Sequence, residues 1–222
     1  MVINVAIDGP AGAGKSTIAK YAASQLGFIY VDTGALYRSV ALNALRKGVK
    51  DTKNKDEVVK SLEGLEVSIR FVDGEQRVFI GDEDVSVAIR QNEVSMAASN
   101  SSAIPEVRAF LFDLQRDIAS KNNCIMDGRD IGTVVLPNAK IKIFLTATPE
   151  ARAERRYKEL TEKGQTVEYD SILREVKERD YQDTHREIAP LKKADDAILA
   201  DTTELTFAQS RDLILNIIKE NM

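Results

Sequence analysis

The stretch Val2-Ile3-Asn4-Val5-Ala6-Ile7-Asp8-Gly9-Pro10-Ala11-Gly12-Ala13-Gly14-Lys15-Ser16 decides the fold. Residues 2–8 are short, apolar and rich in β-branched side chains, the composition of a strand buried on both faces. Residues 9–16 match G-x-x-x-x-G-K-[ST] at every position. Beyond them, Ile18, Ala22 and Leu26 fall on one face of a helix that runs from Thr17. Strand, glycine loop and helix in this order form a phosphate cradle. The glycines let backbone N–H groups turn inward at the positive end of the helix that Lys15 and Ser16 open. Lys15 then reaches the β and γ phosphates of a nucleotide, and Ser16 ligates Mg²⁺. Glycine-rich turns also serve as ordinary strand-to-helix connections. The complete match and both flanks favour the phosphate site.

A chain of 222 residues can build one sizeable core with an appended subdomain, and it reads as one domain, residues 1–222, with insertions. Its formal net charge of −4, with 30% charged residues, does not suit a polymer of phosphates, so no nucleic-acid polymer is expected as a partner. The single cysteine, Cys124, has no internal disulfide partner and reads as a small buried apolar residue. Neither a secretory signal nor a run of about eighteen apolar residues occurs, which makes the cytoplasm the default address and excludes a membrane partner. One continuous core points to a monomer.

Along the chain, Phe28-Ile29-Tyr30-Val31 reads as a second strand ending at Asp32, and Ala35 to Lys47 as a helix closed by Gly48. Residues 50–60 are highly charged and read as a solvated surface run. Their Asn54-Lys55-Asp56-Glu57 is an incomplete version of a guanine-reading motif. Between 65 and 85, alternating Val67, Ile69, Phe71 and then Val78, Ile80 flank Asp73-Gly74, which predicts an inserted antiparallel hairpin. A helical pattern covers Val87 to Ser101, and Pro105 opens a long helix to about Ser120. Cys124-Ile125-Met126 and residues 141–145 read as buried strands. Pro149 starts a helix whose exposed face carries Arg152, Arg155 and Arg156, and Gly164 breaks it. A helix from Tyr169 to Asp183, a fifth strand at 197–200 and an amphipathic helix from Phe207 to Lys219 complete the chain. Strands alternating with helices imply a mainly parallel sheet covered on both faces, with ligands at the carboxyl ends of its strands. Those ends carry the loop, Asp32-Thr33 and Asp127-Gly128-Arg129-Asp130. Any one of these charges alone would read as a helix cap or a surface group, whereas their convergence marks a binding site.

Asp32-Thr33-Gly34-Ala35-Leu36-Tyr37-Arg38, Asp127-Gly128-Arg129-Asp130-Ile131-Gly132-Thr133-Val134-Val135, and Lys177-Glu178-Arg179-Asp180 with Arg186 and Ala189-Pro190-Leu191 resemble the motifs of bacterial cytidylate kinases. With the loop, these motifs run from residue 7 to residue 191. The resemblance implies an α/β nucleoside monophosphate kinase fold of the phosphate-loop type. That fold has five parallel strands flanked by helices, a monophosphate-binding region at about 35–105 enlarged by a small antiparallel sheet at 65–85, and a mobile helical lid at about 150–165. It implies phosphoryl transfer from ATP, with Mg²⁺, to CMP or dCMP. ATP would be held by Gly9, Pro10, Ala11, Gly12, Ala13, Gly14, Lys15, Ser16, Thr17 and Arg152, and Lys15, Arg129, Arg155 and Arg156 would act on the transferring phosphoryl group. Thr33, Arg108, Asp130 and Arg186 would surround cytosine, Ser99, Arg179 and Asp183 the ribose, and Arg38 with Arg129 the acceptor phosphate. Thr33 keeps a hydroxyl where serine is common in the family. Without the resemblance, Ser99 and Arg108 would read as polar residues on helix faces.

A monophosphate is largely dianionic near neutral pH, so its oxygen attacks without a general base. His185, the only histidine, then reads as a polar residue at a helix end. Two other readings of the loop remain open at this point: a kinase of a sugar-like or shikimate-like acceptor, and a nucleotide-dependent switch.

Overall fold

Val5, Ala6 and Ile7 of strand β1 (Asn4–Asp8) are almost completely buried, as a strand paired on both edges and covered on both faces must be. The computed structural model describes residues 2–72 and 75–222. With β2 (Ile29–Asp32), β6 (Cys124–Gly128), β7 (Ile141–Thr146) and β8 (Ile198–Asp201), β1 forms a five-stranded sheet in the order β2-β6-β1-β7-β8. Its pairings with β6 and β7 are parallel, with Ile7 opposite Asp127 on one side and Ile143 on the other. This register brings the end of β1 level with the end of β6, so the glycine loop and the Asp127–Asp130 turn leave the sheet side by side.

The chain forms two compact units, residues 3–28 with 123–222, and residues 29–122. In the first, α1 (Lys15–Leu26) buries Ile18, Ala19 and Ala22, and packs against α8 (Phe207–Asn221), which buries Ile214 and Ile218. Thr206 and Gln209 cap α8 reciprocally. Helices α6 (Pro149–Glu162) and α7 (Tyr169–His185) pack on each other. Cys124 is fully buried, and burial pushes its thiol up to about 12.

The second unit is built on α2 (Thr33–Arg46), whose two sides feed two apolar clusters. Leu36, Val40 and Ala44 meet Val58, Val107 and Leu111, while Ala41 and Leu42 meet Val78, Val85, Ile89 and Val94. Apart from Val85 and Ile89, which follow the last strand, these partners come from α3 (Lys55–Ser61), α4 (Asn92–Ser101), α5 (Pro105–Lys121) and a three-stranded antiparallel sheet. That sheet joins β3 (Val67–Val72), β4 (Glu75–Ile80) and β5 (Glu83–Asp84). Val67 faces Ile80 and Val72 faces Glu75. The antiparallel insertion is therefore present, while the Asp73-Gly74 turn assigned to it lies outside the described residues.

Three sequence readings need correction. The charged run at 50–60 contains α3, started by Asn54, whose side chain accepts the Glu57 N–H, and anchored by the fully buried Val58. The helix expected from Val87 to Ser101 is split, because Gln91 is extended between a 3₁₀ turn at Ala88–Arg90 and α4. Arg152 does not lie on the exposed face of α6, since its side chain is buried at 2% exposure. Among the described residues, no helix is long and apolar enough to cross a membrane.

Gly9 is where the sheet admits the loop. A Cβ built on it would lie 1.9 Å from the Leu145 carbonyl oxygen, and its φ of +152° is itself unfavourable for other residues. Gly9→Ala is therefore expected to lose more than about 3 kcal/mol of stability, read as a fall in urea midpoint at unchanged m-value. An unchanged midpoint would show that the loop does not depend on this close approach.

Candidate active site

In the first unit, the loop closes on itself around Lys15. Gly12 and Gly14 take positive φ of 75° and 83°, and Gly14 precedes the first residue of α1. Lys15 is 6% exposed and donates from Nζ to the Pro10 carbonyl at 2.7 Å. Burial pushes its ammonium down to about 7, helped by the like charge of Arg129 and opposed by Asp127, Asp183 and Asp8. The next residue, Ser16, donates its hydroxyl to Asp127 Oδ2 at 2.8 Å. A serine hydroxyl oriented by a buried carboxylate is a hard-oxygen arrangement that suits Mg²⁺. Among the described residues, no cluster of three or more His, Cys, Asp or Glu forms a self-sufficient metal cage.

Beyond β6 the chain presents paired charges. Arg129 Nε donates to Asp183 Oδ2 at 2.7 Å, which ties the turn to α7. Burial works against the Arg129 guanidinium, and Asp183, Asp127 and Asp8 more than offset it, so its pKa is raised. Asp183 is held below the usual carboxylate range: burial opposes this, and Arg129, Arg179 and Arg186 prevail. Asp130 and Arg186 form a second buried pair at 3.3 Å, and Arg186 also donates from Nε to the Ala189 carbonyl at 2.7 Å. That carbonyl belongs to the Ala189-Pro190-Leu191 turn, where Ala189 has φ 49° and the Leu191 N–H returns to the Asp183 carbonyl. The motif residues after α7 thus form a small frame for Arg186.

The α6 arginines divide. Arg155 donates to the Thr202 and Leu205 carbonyls, Arg156 is half-exposed beside Glu159, and Arg152 turns inward to Asp180 and the Ala11 carbonyl. His185 is the last residue of α7 and stacks on Tyr181.

In the second unit, Asp32 caps α2 by accepting the Ala35 N–H at 2.9 Å, and its other oxygen accepts from Arg38 Nη2 at 2.8 Å. Gly34 leaves room for this pair, because a Cβ there would sit 3.2 Å from Arg38 Nη1. Arg38 Nε is buried without a hydrogen-bond partner. Thr33 is buried as the first residue of α2. Arg108 is buried, lies over the Tyr37 ring at 5.6 Å and donates to the Ser102 carbonyl at 3.3 Å. Ser102 in turn donates its hydroxyl to the Ser99 carbonyl at 2.9 Å. So Thr33 and Arg38 share one helix start, and Ser99 and Arg108 are linked through one turn.

Sequence reasoning quoted Asp180 within a motif without giving it a role, and assigned none to Asp8 or Gln76. Gln76 on β4 accepts the Asp32 N–H at 2.8 Å and donates to the Asp32 carbonyl, holding the cap residue from the inserted sheet. Asp8 was legible: it ends an apolar strand, the signal that marked Asp32 and Asp127. Its two oxygens accept the N–H groups of Ile131 and Gly132 at 2.8 and 2.7 Å, where the chain enters a π-helical turn at Ile131–Val135.

The model of the cytidylate kinase family matches residues 5–220. A cytidylate kinase of Caldicellulosiruptor bescii is 52% identical over 215 residues, which are 97% of this chain and 95% of that protein. One from Streptococcus pyogenes serotype M5 is 50% identical over 219 residues, 98% and 95% of the two chains. Among solved structures, an uncharacterized protein from Eubacterium ventriosum shares the fold at 15% identity, with a TM-score of 0.51 over 99% of both chains.

Burial pushes the Asp8 carboxyl up to about 6, and the two N–H bonds only partly counter it. A carboxyl with a higher pKa folded than unfolded favours folding when protonated. Its penalty therefore develops as pH rises from about 4 to about 6 and persists above that. Between pH 4 and pH 7 the wild type should lose about 2 kcal/mol relative to Asp8→Asn, measured by urea unfolding of both proteins. A pH-independent difference would contradict this environment for Asp8.

Proposed function

The chain belongs to the cytidylate kinase family, and from that premise we propose that it transfers the γ-phosphoryl group of ATP to CMP or dCMP, giving ADP and the diphosphate. The observation that carries this reading is the gathering in one unit of the loop lysine with the Arg129–Asp183 and Asp130–Arg186 pairs. Loop N–H groups and Lys15 hold the β and γ phosphates. Ser16, oriented by Asp127, is the ligand for Mg²⁺. When bound with ATP, that ion supplies charge neutralisation across the phosphate oxygens.

Arg129 binds phosphate oxygens with a guanidinium already fixed by Asp183, so little ordering remains to be done in the transition state. Arg155 and Arg156 stabilise charge on the transferring group from a lid at about 150–165, with Arg152 at the lid's base. Residues 35–105 are the monophosphate-binding region. In it, Arg38 offers the acceptor phosphate its remaining donors, and Ser99, with Arg179 and Asp183 of α7, contacts the ribose. The acceptor oxygen needs no base because it is already anionic. The protein acts as a cytoplasmic monomer.

Base choice follows from Asp130 and Arg186. Side by side, they present a carboxylate acceptor and a guanidinium donor. Cytosine presents the complement, an amine donor beside a ring-nitrogen acceptor, while uracil presents the reverse. Arg108 and Thr33 complete the base contacts. Loss of a charge-assisted hydrogen bond in this pocket should cost about 2 to 3 kcal/mol of transition-state stabilisation for CMP. We expect ADP release with CMP and dCMP far ahead of UMP in the wild type, and a narrowed CMP-to-UMP ratio of kcat/KM in Asp130→Asn. An unchanged ratio in a folded variant would remove Asp130 from the base pocket, and an inactive wild type would refute the reaction.

A further inference from the structure

Arg152 is the most buried arginine of the α6 set and is fully engaged by the protein itself. Nε donates to the Ala147 carbonyl at 2.9 Å, and Nη1 to the Ala11 carbonyl of the phosphate loop at 2.9 Å. Asp180 grips the fork from α7, with Oδ1 2.9 Å from Nη1 and Oδ2 bonded to Nη2. The loop also rests on the arginine's stem, since a Cβ at Gly12 would lie 3.5 Å from Arg152 Cβ. A guanidinium held this way meets the loop through a carbonyl, the side of the peptide opposite to the N–H groups that face phosphate. It is therefore fixing which way the loop's peptides point.

We propose that Arg152 is a positioning residue for the phosphate loop and that Asp180 is the residue that holds it in place. This assigns α7 a role in ATP binding through an acidic side chain. A carboxylate beside a triphosphate is repulsive if it acts directly, so Asp180 can favour ATP only through Arg152. Direct and indirect roles for Arg152 consequently predict opposite effects of neutralising Asp180. Where Arg152 is a direct phosphate ligand, removing its carboxylate partner releases the cation and tightens ATP binding. Where Arg152 sets the loop, the same change leaves a buried guanidinium without its counter-charge, and the Ala11 peptide loses its anchor.

The inference rests on residues 9–16 being the ATP site. Its test is the steady-state KM for ATP and for CMP, measured separately with the full chain, for wild type, Asp180→Asn, Asp180→Glu and Arg152→Lys. Thermal unfolding of each variant reports folding. The expected result is an ATP KM raised about ten- to a hundredfold in Asp180→Asn with the CMP KM unchanged. Arg152→Lys should behave in the same way, because an ammonium keeps the charge but lacks the planar fork. Asp180→Glu should restore part of the ATP affinity. Should Asp180→Asn not fold, Arg152→Lys and Asp180→Glu carry the same comparison. An ATP KM that falls or stays at the wild-type value in Asp180→Asn, or in Arg152→Lys, would overturn the inference. So would equal losses for both substrates in a folded variant. A wild type that forms no ADP with CMP would instead refute the functional reading on which the inference stands.

Discussion

The burial of Lys15 is the condition on which the site of the first unit depends. Lys15 sits at the start of α1, nearly inaccessible to water, with one neutral carbonyl as its hydrogen-bond partner. Desolvation of an ammonium is costly, and here burial pushes its pKa down to about 7. The surrounding acids, Asp8, Asp127 and Asp183, each answer to another group first. Asp8 accepts two backbone N–H groups, Asp127 accepts from Ser16, and Asp183 pairs with Arg129. A triphosphate would offer the ammonium the direct anionic partner that these already engaged carboxylates do not. Such a site is preorganised at the expense of the free protein's stability.

Holding arginines near the loop explains why α7 is so polar for a packed helix. Its Asp180 and Asp183, about one turn apart, take arginines from α6 and from the turn after β6 respectively. Arg152 spends its whole fork on Asp180 and two backbone carbonyls, whereas Arg129 meets Asp183 through Nε alone. Charged groups are costly to bury alone, and pairing across three segments fixes both positions while leaving Arg129 a donor for phosphate. The second unit pairs Asp32 with Arg38, with Gln76 of the inserted sheet holding the Asp32 backbone.

Much of this was legible in the sequence because the fold is periodic where it is apolar. The five strands, the helix opened by Pro105 and the antiparallel insertion follow from side-chain patterns, and the loop follows from a motif with a mechanism. What escaped was set by long-range pairing. Arg152 resembles its neighbours Arg155 and Arg156 in type and spacing, and only the approach of α7 turns it inward. Helix α3 was obscured by charge: Val58 is one buried residue in a run that is otherwise largely solvated. The split at Gln91 leaves no proline or glycine to announce it. Site residues contributed by strand ends could be found from one chain, whereas Ser99 and Arg108 needed the family resemblance to be noticed at all.

The central claim, that Lys15 is buried at the loop in order to bind phosphate, is tested most directly by Lys15→Met. Methionine fills similar space without charge. The account predicts a free protein at least as stable as wild type, no rise in Tm on adding Mg-ATP where the wild type shows one, and CMP phosphorylation reduced by roughly a hundredfold or more. A variant that is markedly less stable alone yet still gains Tm from ATP and turns over CMP would contradict it, and would make Lys15 a structural residue.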